Sequence, residues 1–256
     1  MAASLTHRRN RPKWSMQCVI RPYKSTDKSA VISLLRFGIM EHIYPAFFKA
    51  MRHTDHIGLT LSISVAGYVL GGSSYLQALL FGGAWVSLIY YCCYEIYNSF
   101  LKRGLDVEMS DIQANFLDNP VNHFWLAETE VNGRSKVTGL LAVVGVKDGI
   151  CCDCWNGNVD GTGSLGTSLG GIFQLIVSLP QRRKGLGTQL VETAIEFCKK
   201  QGLSRVVVEI SSPQTAAISL FRKLGFIVTC TNSDIDTYPW VSKLARIDMI
   251  RMEKYL

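Results

Sequence analysis

Residues 179–202 read LPQRRKGLGTQLVETAIEFCKKQG, and this stretch decides the fold. Leu190, Val191, Ala194, Ile195 and Cys198 recur at the spacing of one helical face, Lys199 and Lys200 fall in the last turn, and Gly202 suits the position just past a helix end. The spacing predicts an amphipathic helix. Ahead of it runs the loop Arg182-Arg183-Lys184-Gly185-Leu186-Gly187-Thr188, which follows the strand-like run Ile172–Ser178 almost directly. Glycines let a backbone turn tightly and approach a ligand, and the first N–H groups of a helix have no intrahelical acceptor. Strand, glycine loop and helix start thus suit an anion such as a diphosphate, with three cations beside it. A solvated basic loop over an ordinary helix is the alternative on these residues alone. The spacing fits neither G-x-x-x-x-G-K-[ST] nor G-x-G-x-x-G, so kinase and dehydrogenase chemistry lose support.

Working outward, the chain alternates strands and helices. Leu203–Ile210 reads as a strand, Thr215–Leu224 as a helix, and a further strand starts at Phe226. Upstream, His123–Glu128 and Val137–Val146 read as two strands around an Asn132-Gly133 turn, a β-hairpin. Cys18–Arg21 and Lys28–Phe37 read as a strand and a helix. Gly149–Gly171 has seven glycines and little periodicity, which predicts a surface insertion.

Charge divides the 256 residues unevenly. Residues 1–56 carry 10 basic and 3 acidic side chains, Ile57–Tyr94 carry neither, and 95–256 carry 17 of each. With 48% hydrophobic and 18% charged residues the chain is not a disordered polymer, and its balanced C-terminal part argues against a nucleic-acid partner. The uncharged stretch is too long for one membrane crossing, which takes about 20 residues, and Gly71-Gly72-Ser73-Ser74 breaks it into Ile57–Leu70 and Tyr75–Tyr94. A membrane hairpin over 57–94 is expected, by two crossings or a re-entrant path. A buried helical pair in a soluble domain is the alternative. The eight cysteines are scattered, as small buried residues in a reducing compartment would be; Cys151-Cys152-Asp153-Cys154 has no second pair at zinc spacing, so no metal is expected.

The motif [QR]-x-x-G-x-[GA], met by Arg182 to Gly187, is followed by Leu220-Phe221-Arg222-Lys223-Leu224-Gly225-Phe226. Together, in this order of elements, they resemble the Gcn5-related N-acetyltransferase superfamily. Gly38-Ile39-Met40-Glu41-His42 before the hairpin, Met109-Ser110-Asp111-Ile112 after it and Phe124-Trp125-Leu126-Ala127-Glu128 narrow the resemblance to the camello or N-acetyltransferase-8 family over about residues 17–256. The resemblance implies an α/β fold, a mixed and mostly antiparallel sheet flanked by helices, interrupted by the membrane segment. Residues 1–16 form a basic extension, 17–56 the first strand and helix, and 95–256 the rest of the domain.

The implied activity is transfer of acetyl from acetyl-CoA to an amine: a cysteine S-conjugate, an amino acid or a protein lysine in the endoplasmic reticulum. By resemblance, backbone around Ile176 and Val177 holds the pantetheine arm, and Arg182, Arg183, Lys184, Gly185, Leu186, Gly187 and Thr188 hold the pyrophosphate. Glu209 is the carboxylate expected to face the cleft and act as base, or else a solvated strand-end charge. Two positions depart from the pattern. Phe221 stands where a tyrosine often protonates the departing thiolate, and Gln174 where near relatives carry a basic residue. General acid help is worth roughly 10²–10⁴-fold, so weak activity, or a protein that only binds CoA or a partner, is the rival reading. Tyr238 is the expected substitute acid, or part of a packed turn.

Residues on both sides of the hairpin belong to one domain, so both flanks must lie on one side of the membrane. Lys49, Arg52, Lys102 and Arg103 then predict that this side is cytosolic. Arg8, Arg9, Arg11 and Lys13, with Lys49 and Arg52, are expected to contact anionic lipid.

Overall fold

The structure is a computed structural model that describes residues 18–131, 133–146, 168–233 and 239–256. The elements run β1 (Cys18–Pro22), α1 (Lys28–Met40), α2 (Ile43–Met51), α3 (Thr54–Leu70), α4 (Tyr75–Arg103), α5 (Ile112–Phe116), β2 (His123–Val131), β3 (Arg134–Val146), β4 (Leu169–Val177), α6 (Leu186–Lys200), β5 (Arg205–Ser211), α7 (Thr215–Lys223), β6 (Ile227–Asn232), α8 (Pro239–Ala245) and β7 (Met249–Tyr255). The strands form one sheet in the order β1-β2-β3-β4-β5-β7-β6. Every neighbouring pair is antiparallel except β4 with β5. This is the mixed sheet expected of the sequence.

Local chemistry fixes the ends of the two helices that follow β4 and β5. Gly202 and Gly225 take positive φ (72° and 85°), and the N–H one residue later reaches back to Cys198 O and Phe221 O, each at 3.0 Å. A left-handed glycine followed by such a bond closes a helix in a Schellman motif. The amphipathic face of α6 (Leu186, Leu190, Val191, Ala194, Ile195, Cys198) is buried against one side of the sheet, together with Ile218 and Phe221 of α7. On the other side α1, α5 and the end of α4 cover Phe124, Leu126, Leu140 and Ala142. A third cluster joins α2, α8 and the second half of α4 through Ala46, Cys92, Ile96 and Val241.

Two helical stretches are long and apolar enough to cross a membrane, Ser25–Met51 and Tyr75–Asp106. The first breaks at Glu41-His42, and its Val31 and Leu35 are fully buried in the sheet's core, which accounts for its apolar character. The hairpin α3–α4 differs. Leu61, Val65, Val69 and Leu70 on α3 and Tyr75, Leu76, Leu79 and Leu80 on α4 are exposed. The two legs meet through small residues: a Cβ on Gly67 would lie 2.9 Å from Phe81 Cβ, and one on Gly82 would overlap Ser64 Oγ.

Several details depart from the sequence expectations. Helix α4 does not stop at Tyr94 but continues to Arg103, its second half packed into the domain. Strand β4 begins at Leu169, so the last residues of the expected insertion are sheet. Pro239 and Trp240, next to Tyr238 where a packed turn was the alternative, open a short helix, α8. Lys49, expected at the lipid, donates to Ser212 Oγ at 2.7 Å. Arg8, Arg9, Arg11, Lys13 and the Cys151-Cys152-Asp153-Cys154 cluster lie outside the described residues.

Candidate functional site

The site is built where β4 and β5 part. The two strands pair in parallel from Leu169↔Arg205 to Ile172↔Val208 and no further, although β4 runs on to Val177 and β5 to Ser211. On its other edge β4 stays paired with β3, with a bulge: Ala142 faces Phe173 but Leu140 faces Ile176. Gln174 sits in that bulge with φ 51°, a left-handed value unusual for a residue with a side chain. Ile176 and Val177 therefore lie on a stretch of β4 whose β5-facing edge has no strand partner. Unpaired backbone polar groups on such an edge suit an extended ligand carrying amides of its own.

Beside this opening stands the N-terminus of α6. Gly185 caps it at φ 83° with no side-chain hydrogen bond, and the first bond of the helix is Gln189 N–H to Gly185 O at 3.1 Å. The N–H groups of Leu186, Gly187 and Thr188 precede that bond and have no intrahelical acceptor. A Cβ on Gly185 would meet nothing within 4 Å, so the space in front of the cap is open. Gly187 is needed for a different reason: its Cβ would press on Leu220 Cδ2 at 3.3 Å. Arg183 and Lys184 are exposed, and Lys184 Nζ reaches Gln181 Oε1 at 3.2 Å.

Arg182 is used differently from its two neighbours. Its Nε donates to Val177 O at 2.8 Å and its Nη2 donates to Glu41 Oε1, so it ties the end of β4 to the junction of α1 and α2. It is a structural clamp at the edge of the loop, and it occupies the Val177 carbonyl.

Glu209 lies on β5 where β4 has diverged. Val206, Val208 and Ile210 point into the α6 side of the core, which puts Glu209 and Ser211 on the opposite face. The carboxylate is reachable by solvent yet crowded, a cleft environment; that desolvation pushes its pKa up, and Arg251 and Arg103 pull it back. Two residues on, Ser211 Oγ lies 3.1 Å from Tyr97 Oη of α4. Phe221 is 1% exposed and packs edge-on to Phe226 at 5.0 Å, a core residue under the cleft with no hydroxyl to offer. Tyr238 lies outside the described residues.

Sequence reasoning assigns no chemistry to the pair at the α1–α2 junction, which the fold brings to the cleft. His42 Nε2 is 3.6 Å from Glu41 Oε1, its ring lies 6.1 Å from that of Tyr97, and it is 23% exposed. Burial lowers its pKa below the usual histidine value; Glu41 opposes that and Arg182 adds to it. The signal was an acid and a histidine side by side in a run from Phe37 to Phe48 that carries no other Asp, Glu, Lys, Arg or His. Among the described residues no group of three or more His, Cys, Asp or Glu is placed to hold a metal ion.

Residues 90–226 match the model of the acetyltransferase (GNAT) family. N-acetyltransferase family 8 member 3 of Mus musculus is 30% identical over 235 residues, 91% of this chain and 93% of that one. N-acetyltransferase 8 of Homo sapiens is 27% identical over 209 residues, 82% of this chain and 84% of that one. The fold is also similar to that of an acetyltransferase of GNAT family from Staphylococcus aureus, with a TM-score of 0.50 at 12% identity, covering 93% of this chain and 99% of the other.

Proposed function

The chain belongs to the acetyltransferase (GNAT) family, among the N-acetyltransferase-8 proteins, and is an acetyl-CoA-dependent N-acetyltransferase; from that premise we propose that it acetylates a small amine while anchored in a membrane by α3–α4. The observation that carries the site assignment is the parting of β4 from β5 after Ile172, with the open N-terminus of α6 beside it. Acetyl-CoA has a pyrophosphate far from its thioester, so it needs an anion cradle and a reaction cleft some distance apart. The amides of Leu186, Gly187 and Thr188, with Arg183 and Lys184, suit the pyrophosphate; the edge of β4 at Ile176 and Val177 that β5 leaves free, apart from the Val177 carbonyl held by Arg182, suits the pantetheine arm. Arg182 serves by fixing that edge.

The acceptor must be a neutral amine to attack the thioester, and the resulting oxyanion must be held by a donor. Glu209 and His42 are the titratable groups at the mouth. Buried Phe221 supports the rival reading, a weakly active protein, because it cannot protonate the departing sulfur. The reaction side is tested by presenting labelled acetyl-CoA with cysteine conjugates, aspartate and lysine peptides to the detergent-solubilised chain. N-acetyl product from the cysteine conjugates or aspartate bears out the small-amine reading; product from lysine peptides alone overturns it.

The exposed apolar hairpin supports anchoring. Its legs free of the domain, about residues 57–70 and 75–88, are each ~21 Å long at ~1.5 Å per residue, short of a ~30 Å hydrocarbon core. That length favours a hairpin that enters and returns over two full crossings. Exposed Arg52 at its base, with exposed Lys102 and Arg103 ~20 Å further along α4 on the domain side, favours the cytosolic face of the endoplasmic reticulum membrane.

A further inference from the structure

Acetyl transfer to an amine needs a group that removes a proton from the ammonium form, and the geometry points to His42 as that proton acceptor, with Glu41 and Arg182 as its positioning residues. This assignment rests on the acetyl-transfer reading above and adds the residue that handles the proton.

The α1–α2 junction is pressed onto the half of β4 that β5 leaves free. A Cβ on Gly38, one turn before the junction, would lie 2.5 Å from Ile176 Cγ2, so α1 meets β4 as closely as a backbone can. Glu41 is then held from the other direction by Arg182, which itself grips Val177 O at the end of β4. The carboxylate is thereby fixed and its charge answered by the guanidinium. His42 follows immediately. Its ring rests near Tyr97, whose hydroxyl lies 3.1 Å from Ser211 Oγ at the far end of β5. The imidazole thus stands between the free ends of the two parting strands, next to the loop that leads to the open start of α6.

The charged and titratable groups that face it are Glu41 at its own junction, Arg182 from the loop after β4 and Tyr97 from α4. A carboxylate on the Nε2 side favours the tautomer protonated there, which leaves the basic lone pair on Nδ1. Burial keeps the imidazole neutral at neutral pH, and its partial exposure lets an acceptor reach it. Glu209 is placed for a different task. Desolvation raises its pKa and Arg251 and Arg103 offset part of that rise, and the carboxylate, on β5 where β4 has parted from it, is the partner for the cationic amine as it enters.

The acceptor ammonium gives one proton to the His42 imidazole, which later returns it to water. The freed nitrogen lone pair forms the C–N bond at the thioester carbonyl. As the C–S bond breaks, the sulfur leaves with the bonding pair, and the second proton of the now positively charged nitrogen ends on the thiolate. The products are the N-acetyl amide and CoA thiol.

The test uses the purified full chain in detergent and an amine that the wild type acetylates. His42→Gln is expected to lower kcat by ~10²-fold or more, within the range of general base catalysis, while the dissociation constant of acetyl-CoA stays within about twofold. The acid limb of the kcat/KM profile, set by a group titrating below the ordinary histidine value of about 6.5, is expected to vanish in His42→Gln. In Glu41→Gln it should shift to lower pH, because the carboxylate that favours the imidazolium is gone. Imidazole added to His42→Ala should restore part of the rate, an effect that a merely structural histidine would not give. A His42→Gln rate within about threefold of wild type, or an unchanged acid limb, overturns the assignment alone. So does a limb that disappears in Glu209→Gln but not in His42→Gln. Absence of any turnover by the wild type overturns the acetyl-transfer reading and the assignment with it.

Discussion

Single residues at the cleft are held for distinct physical reasons, and each reason gives a test. At Gly185 the backbone is left-handed with open space in front, so Gly185→Asp costs only the strain of a side chain at positive φ, about 1 kcal/mol, yet places a negative charge where the diphosphate should sit. We predict a rise of tenfold or more in the acetyl-CoA dissociation constant by calorimetry, with a fall in Tm of only a few degrees. Gly38→Ala is the opposite case. The added methyl would overlap Ile176, a buried β-branched side chain, so we predict a loss of about 1–3 kcal/mol in denaturant unfolding and a lower kcat as the Glu41-His42 junction moves off β4. The glycines were readable from the sequence because their spacing around the helix start is local. The partnership of Arg182 with Glu41 was not, because it joins residues 141 positions apart and depends on the sheet bringing them together.

At the scale of elements, legibility followed the length of the periodic signal. Helices α6 and α7 carry an apolar stripe and a terminal glycine, and both ends fell where that chemistry put them. Helix α2 begins three residues after α1 ends and has Pro45 in its first turn, a position where proline is tolerated but which reads as a break. Its burial against α4 is tertiary, and nothing local announces it. The hairpin was legible from its lack of charge, but its free length was not, because nothing in the sequence says where the domain begins to cover α4. A single cysteine at Ser73 tests the depth of insertion. In sealed vesicles of either orientation, with the native thiols replaced, a re-entrant tip should resist a membrane-impermeant maleimide; labelling from the lumenal side would mean two full crossings. Gly82→Leu should separate the legs, since its backbone already touches Ser64, and protease should then cut within 71–74.

For the whole molecule, the sheet depends on polar ties between its first strand and the helices that follow. Arg21 bridges Asp27 at 2.7 Å and also pairs with Glu128, and these contacts hold both carboxylates below their ordinary pKa. A depressed carboxylate stabilises the fold above its unfolded value of about 4 and loses that contribution as pH falls through the depressed native value. Arg21→Met should therefore lower Tm at pH 7 and flatten its fall below about pH 4, as followed by circular dichroism. The same architecture brings the reaction together: β1 and α1 precede the hairpin, the remaining strands follow it, and the cleft needs α1 from one side and the β4–β5 parting from the other.

We propose that the parting of β4 from β5, with the Gly185 helix start, makes the chain an enzyme acting on small amines. The most direct measurement is the transfer of labelled acetyl from acetyl-CoA to cysteine conjugates and aspartate by the solubilised chain, beside Gly185→Asp and Phe221→Tyr. The wild type should give an N-acetyl product, Gly185→Asp should lose that product at low acetyl-CoA, and Phe221→Tyr should turn over as fast or faster. A wild type that binds acetyl-CoA but makes no product, while Phe221→Tyr makes it, would contradict the claim and leave a CoA-binding protein in place of the enzyme.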